Sequence, residues 1–319
     1  MPPSAAWYGR LLASQMRTMP PLPNADLSGK TFIVTGANSG IGLEVAKHLA
    51  SRKANIILGI RNLKAGEEVK KDLMKLSLDQ AIDVQIWPID FLDFDSIARF
   101  ARKCKEETVT GGLRLNGVVF SAGLYGLGWD QTPDGYEKVT KVNLVSTILL
   151  ARLVIPLMHD CTEFKARMVF VGTALAETTM VEKFDLDNPI AQLNDDKRYP
   201  GYEERYNQTK TALHTQICQL MTRHPDIAFV DAAPGLTNSP FFKYHGLAVR
   251  TMAKIIGRET EKAARNISLP VLELTQSTEY HNDCKPSRFD LPCLDAPKGK
   301  KYAENVWNDI DQVYARYEI

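Results

Sequence analysis

A chain of 319 residues, 44% of them hydrophobic, can bury both faces of a large sheet, and α/β chains of this length are commonly one domain. Its 39 Lys and Arg against 38 Asp and Glu leave a net charge of +1, which argues against a nucleic-acid or anionic-membrane partner. Cys104, Cys161, Cys218, Cys284 and Cys293 show no C-x-x-C spacing and the six histidines no H-x-x-x-H spacing, so no disulfide framework and no metal site is expected, and a reducing, cytoplasmic location fits.

Residues 1–27 read as an N-terminal extension. Its first 24 residues hold Arg10 and Arg17, no acid and no secretory hydrophobic core, which leaves an organellar or lipid-surface address as the minor alternative. From residue 28 to 319 the pattern is that of a single domain.

Thr31-Phe32-Ile33-Val34 is a short β-branched run of the kind a buried parallel strand requires. Directly after it comes Thr35-Gly36-Ala37-Asn38-Ser39-Gly40-Ile41-Gly42. Gly36 permits the tight turn out of the strand, Gly40 lets backbone amides approach a pyrophosphate, and Gly42 allows the next helix to pack close to the sheet. In that helix Gly42, Val45, Ala46 and Leu49 share one face. Asn55-Ile56-Ile57-Leu58 reads as the second strand, ending in Gly59-Ile60-Arg61-Asn62. An acid at this tip accepts from a ribose 2′-hydroxyl, whereas a 2′-phosphate needs a cation. Arg61 is the charge present, and its guanidinium matches phosphate oxygens in fork geometry, so NADP(H) is the expected cofactor.

Far downstream, Tyr206-Asn207-Gln208-Thr209-Lys210 sets a phenol and an ammonium four residues apart, on one face of a helix. A free tyrosine has a pKa of about 10 and proton transfer works best near the operating pH, so the surroundings must supply about 4 kcal/mol. A fixed lysine cation supplies much of it.

These motifs resemble the short-chain dehydrogenase/reductase family over roughly residues 28 to 275, which implies an α/β, doubly wound parallel sheet of Rossmann type, about seven strands with helices on both faces. The family's Thr-Gly-x-x-x-Gly-x-Gly matches Thr35 to Gly42, with Asn38, Ser39 and Ile41 inside the cofactor loop. Its adenine-contacting acid after the third strand matches Asp90, followed by Phe91. Its Asn-Asn-Ala-Gly is Phe120-Ser121-Ala122-Gly123 here, and Ala122 and Gly123, the two matching positions, are expected beside the cofactor ribose. Thr132-Pro133-Asp134-Gly135-Tyr136-Glu137 resembles a pattern common in retinol-dehydrogenase-like members and fungal reductases. Ala233-Pro234-Gly235-Leu236-Thr237 is similar to the family's cofactor segment, with Pro234 and Gly235 lining it and Thr237 facing the nicotinamide carboxamide.

By the same resemblance Tyr206 donates or accepts the proton and Lys210 lowers the phenol pKa and holds the nicotinamide ribose. Thr173, after the strand Met168 to Val171, stands where the family has a serine and orients the substrate oxygen. Asn143 is the family's helix-kinking asparagine, whose backbone holds a water in the proton path. The implied activity is an NADPH-dependent ketoreductase or alcohol dehydrogenase acting on a bulky apolar carbonyl compound, plausibly in secondary metabolism. A retinol- or sterol-like alcohol dehydrogenase, a redox-neutral isomerase or cyclase, and a non-catalytic NADP-binding interaction module are the alternatives.

Three segments depart from the shared core. Residues 174–203 form an insertion whose acids, Asp185 to Asn188 and Asn194 to Asp196, suit loop ends and caps. Residues 236–256 hold the position of a substrate lid, and the aromatics of Pro240 to His245 imply an apolar, small-molecule substrate. Leu124 to Trp129 follows the fourth strand at the carboxyl edge, where ligands bind in doubly wound folds. In the tail 277–319, Ser277 to Lys301 reads as a surface loop, and Val306, Ile310, Val313 and Tyr314 mark a terminal helix. No apolar stretch reaches the ~18 residues of a membrane span; Leu144 to Met158 reads as a buried or interface helix. The resemblance leaves a homodimer open to this chain, formed through helices that include Leu144 to Met158 and Tyr206 to Met221.

Overall fold

Strand β1 (Thr31–Thr35) is buried at all five positions. It runs parallel to β2 (Asn55–Ile60) on one side and, across a crossover, to β4 (Leu115–Phe120) on the other, beyond β3 (Val84–Pro88) in the chain. A strand covered on both faces has no side for water, which is why its sequence is an unbroken apolar run. The computed structural model describes all residues except 1–4, 78–81, 127, 160–163, 180–183, 240 and 242–246. The remaining strands are β5 (Arg167–Val171), β6 (Ala228–Ala232), β7 (Thr237–Asn238), β8 (Arg258–Glu259), β9 (Thr278–Asn282) and β10 (Lys285–Ser287).

The main sheet has the order β10-β9-β6-β5-β4-β1-β2-β3. Its strands from β3 through β9 are parallel, and β10 returns antiparallel to β9 as an eighth. Chain order reverses between β1 and β4, so the carboxyl ends of these two strands open a crevice at the switch point, where such folds bind ligands. The short pair β7 and β8 brackets residues 239–257.

Along the chain the helices are α1 (Ala5–Gln15), α2 (Gly40–Ala50), α3 (Leu63–Leu76), α4 (Phe94–Val109), α5 (Lys138–Thr140), α6 (Ser146–Val154), α7 (Pro189–Leu193), α8 (Tyr202–Arg223), α9 (Leu247–Ile256), α10 (Thr260–Glu273) and α11 (Pro297–Tyr317). On one face of the sheet, α2, α3 and α10 bury Val45, Leu49, Val69, Leu73 and Ile267. The opposite face is covered by α4, α6, α8 and α11, with Ile97, Leu149, Leu213 and Val306 in its core.

Two expectations change. The tail is not a surface loop from Ser277 to Lys301: β9 pairs with β6, Phe229 N donates to Ser277 Oγ at 3.1 Å, and Tyr280 is buried. Its polar residues hid the strand, because His281 is satisfied inside the protein by Asn266, Nδ1 to Oδ1 3.0 Å, rather than by solvent. The terminal helix begins earlier, at Pro297, with Val306, Ile310 and Val313 buried as its spacing required. Leu144 to Leu157 falls in a continuous helix, Lys138–Leu157, with Met158 just beyond it; by length and composition this helix could cross a membrane, and 89% of its apolar window is buried in the protein, as a core helix is.

Helix α11 packs against α6 and α8 within the chain. Arg152 of α6 lies 4.4 Å from the Trp307 ring and 4.1 Å from the Tyr314 ring, and Gln216 of α8 donates to Ala303 O at 2.9 Å. The N-terminal extension is docked as well. Trp7 is buried and donates to Glu177 Oε2 at 2.8 Å. Buried Arg258 pairs with buried Asp283 at 2.6 Å and donates to the Ser14 carbonyl, stitching α1 to β8 and the tail. Removing one partner of a buried pair strands the other charge. Arg258→Ala should therefore lower stability by about 3 kcal/mol in denaturant unfolding; a loss within experimental error would show that this pair does not clamp the extension.

Candidate active site

Helix α8 turns one face to the sheet, and Tyr206, Lys210 and His214 recur along it every four residues. Lys210 Nζ donates to the Val171 carbonyl at 2.7 Å, which fixes the helix against the end of β5. Burial pulls the Lys210 ammonium down to about 8, opposed by the charge of Asp231. Burial also pushes the Tyr206 phenol above its ordinary range, with Asp231 adding to the effect. The sequence led to an expectation of a phenol acidified by Lys210; here the Lys210 nitrogen sits 5.9 Å from the Tyr206 ring centre, and burial, with Asp231 adding to it, pushes the phenol up.

Thr173 follows β5 after Gly172 and caps a short turn, its Oγ1 accepting from Leu175 N at 3.2 Å. That turn, Ala174–Thr178, is fastened to α8 by Thr211, whose hydroxyl lies 2.9 Å from the Ala176 carbonyl. Asn143 occupies a π-helical turn, Lys141–Val145, in agreement with the kink read from sequence. Its side chain accepts from Leu124 N and donates to Leu124 O, both at 2.8 Å, and Nδ2 lies 3.4 Å from Thr209 Oγ1. One amide thus locks the loop after β4 beside the helix that carries Tyr206.

The glycine loop forms the other wall. Gly36 has φ +67°, and a β-carbon there would come within 2.9 Å of the Ala122 backbone. Gly42 abuts the Gly36 carbonyl, where a β-carbon would lie 2.6 Å away. Thr35 Oγ1 accepts from Ser121 N at 3.1 Å and Ala122 N at 3.2 Å, fixing the loop after β4 to the end of β1. Asn38, Ser39 and Gly123 are exposed; Gly40 and Ile41 start α2 beside them. At the adenosine end, Arg61 is 72% exposed and Asp90 faces it at 3.9 Å. The Phe91 ring is core, so only its backbone, whose carbonyl accepts from Ser146 Oγ at 2.6 Å, borders the site. Pro234 and Gly235 lie beside Arg258, and buried Thr237 contacts Ser239 Oγ at 3.0 Å.

The pattern of the family described as short chain dehydrogenase matches residues 30–183. The short chain dehydrogenase sol3 of Alternaria solani is 33% identical, over 70% of this chain and 79% of its own. The chain belongs to the short-chain dehydrogenase family. The short-chain dehydrogenase fogG of Aspergillus ruber is 29% identical over 97% of this chain and 92% of its own. In fold, the chain is similar to an uncharacterised protein from Mycobacterium paratuberculosis, at TM-score 0.64 and 20% identity over 91% of this chain and 95% of that one. It is also similar to a short-chain dehydrogenase from Sphingobium yanoikuyae in complex with NADPH, at TM-score 0.57 and 18% identity over 78% and 86%. This short-chain dehydrogenase is accordingly an oxidoreductase of CH–OH and C=O groups that uses a nicotinamide cofactor.

Of the aromatics singled out in sequence, Tyr125 and Phe241 gather at Tyr206, with ring centres 4.7 and 6.0 Å away. Trp129 instead packs on Tyr199 at 5.6 Å. Cys161, Leu127, Pro240 and Phe242 to His245 lie outside the described residues. In the insertion, Asp185 Oδ1 accepts from Asp187 N and Asn188 N at 3.1 and 3.0 Å, as a loop-end acid does. A cleft of about 230 Å³, lined by Gly29, Thr31, Asn55 and Arg114, opens at the opposite edge of the sheet and is not part of this site.

Sequence reasoning missed Asp231, Gln15 and His214 in the short-chain dehydrogenase. Gln15 of α1 accepts from Leu236 N at 3.1 Å and donates to Leu236 O at 2.6 Å, holding the Pro234-Gly235 segment from 221 residues away. His214, Cys218 and Glu279 bring donor atoms within 4.8 Å of one another, although no spacing announced them. Both His214 nitrogens face carboxylates, Asp231 at 2.9 Å and Glu279 at 3.5 Å, which suits an imidazolium with no lone pair for a metal. For the glycine loop, Gly36→Ala should cost about 1–2 kcal/mol from its left-handed backbone alone, and its clash with Ala122 should weaken dinucleotide binding. An unchanged Tm with and without cofactor would contradict the close approach.

Proposed function

We propose that this short-chain dehydrogenase is an NADPH-dependent ketoreductase that reduces a bulky, apolar carbonyl compound, in the manner of fungal enzymes of secondary metabolism. The observation that carries the reading is the convergence of Tyr206 and Lys210 on one buried helix face at the end of β5, together with a glycine loop whose Gly36 lies too close to Ala122 for a β-carbon.

The residues fit a dinucleotide. Gly36, Gly40 and Gly42 leave backbone room, and the amides starting α2 offer donors to a pyrophosphate. Arg61, exposed and facing Asp90, is placed for a 2′-phosphate, and Asp90 with the Phe91 backbone borders the adenine. Ala122, Gly123, Pro234, Gly235 and Thr237 line the ribose and carboxamide end. When bound, the nicotinamide supplies hydride from its C4.

Tyr206 gives the proton to the substrate oxygen as the carbon is reduced, and Thr173 orients that oxygen through its hydroxyl. Lys210, kept as an ammonium, steadies the phenolate that remains. Lys210 then gives a proton to the phenolate, and Asn143 holds the π turn through which a water would restore the proton of the lysine. Tyr125 and Phe241 flank Tyr206 with aromatic surface, which favours an apolar substrate. The fungal origin of sol3 and fogG supports the biosynthetic setting.

Turnover is measured as NADPH consumption across a carbonyl library. Tyr206→Phe should lower it about 10²–10⁴-fold while fluorescence titration shows undiminished NADPH affinity; a fully active variant would remove Tyr206 from the proton role. Arg61→Asp should weaken NADPH about tenfold or more, the loss of one charge-assisted contact, and shift preference toward NADH. Unaltered discrimination between the two cofactors would refute the NADP assignment.

A further inference from the structure

Asp231 of β6 stands opposite Phe170 of β5, so both side chains point to the α8 face of the sheet. There the carboxylate is 2% exposed in a layer otherwise made of Phe170 and Phe229. One oxygen accepts from His214 Nδ1 at 2.9 Å; the other, Oδ1, is buried without a hydrogen-bond partner among the described residues. Oδ1 presses on Gly172, where a β-carbon would be only 1.8 Å away. Gly172 follows Val171, the residue whose carbonyl receives Lys210 Nζ. A half-satisfied carboxylate costs folding free energy, and the fold has kept room for it behind the peptide that holds the lysine.

We propose that Asp231 and His214 are positioning residues for Lys210: the fixed carboxylate keeps Lys210 an ammonium in its dry site, and the imidazolium of His214 limits how much of that negative field reaches it. The inference rests on the reading of Tyr206 and Lys210 as the reacting pair. Burial deprotonates a lysine and a nearby anion opposes it. That is the balance found here, where burial is the larger influence on Lys210 and Asp231 the opposing charge. Burial would likewise pull His214 down, but its contacts with Asp231, Cys218 and Glu279 raise it well above its ordinary value.

The other groups facing this cluster are few. From α8 come Tyr206 and Cys218; from β9, Glu279 and Tyr280; from the turn after β5, Glu177, bonded to Trp7. The neutral ring of Phe289 stacks on His214 at 3.8 Å and shields it. Asp231 is the charge that acts on both Tyr206 and Lys210. His214 Nε2 leads through Glu279, 46% exposed, to solvent.

The signs differ for the two members. Asp231→Asn removes the anion, so Lys210 loses its proton at lower pH. His214→Gln leaves the anion uncompensated, so Lys210 keeps its proton to higher pH. The readouts are the alkaline midpoint of NADPH-dependent reduction of phenanthrenequinone, a flat apolar diketone, and the alkaline midpoint of NADPH affinity from fluorescence, which needs no substrate. The Asp231→Asn midpoint is expected to fall by about one pH unit and that of His214→Gln to rise by about half a unit. Circular dichroism melts verify folding; if Asp231→Asn does not fold, His214→Gln decides alone. Midpoints that stay put, or move the same way in both variants, overturn the proposal. Should Tyr206→Phe retain turnover, the underlying reading has failed; an inactive Tyr206→Phe with unmoved midpoints fails the pair alone.

Discussion

One hydrogen bond ties the chemistry to the fold: the buried Lys210 ammonium given to the carbonyl of Val171 at 2.7 Å. It joins the middle of α8 to the last residue of β5 and so sets the height of Tyr206 above the carboxyl edge of the sheet. Everything else at the site is arranged to keep that geometry. Asn143 closes the loop after β4 against the same helix, and Thr211 secures the turn that carries Thr173. A side chain fixed at both ends loses little further freedom when a substrate arrives, which is how orientation contributes to rate.

The same burial opposes the chemistry it positions. A dry site disfavours both the phenolate and the ammonium, and both Tyr206 and Lys210 are displaced in the direction that burial dictates. Charge must therefore be supplied from behind the site. Asp231, seated where Gly172 leaves space, is the anion in that position, with His214 and Glu279 extending from it to the surface.

The additions to the common core act as fasteners. Helix α1 binds the Pro234-Gly235 segment through Gln15 and is clamped by Arg258 and Asp283. Helix α11 covers α6 and α8, with Arg152 against Trp307 and Tyr314. Both helices thereby support α8 and the cofactor segment.

Much of the site was legible because its signals are local. The β1 run, the three glycines, and the four-residue step from Tyr206 to Lys210 encode strand burial, backbone approach and a shared helix face within a few residues of one another. The terminal helix through Val306, Ile310 and Val313 was readable on the same grounds, whereas the kink at Asn143 was an expectation from family resemblance. What the sequence left undetermined depends on partners distant along the chain. The strand from Thr278 was hidden because Asn266 satisfies His281. The counter-ion Asp231, the clamp of Gln15, and the raised rather than lowered phenol all follow from which groups the sheet and helices bring together and seal from water. Periodicity is a property of one segment, whereas desolvation and charge pairing are properties of a packed interior, and only the tertiary structure decides them.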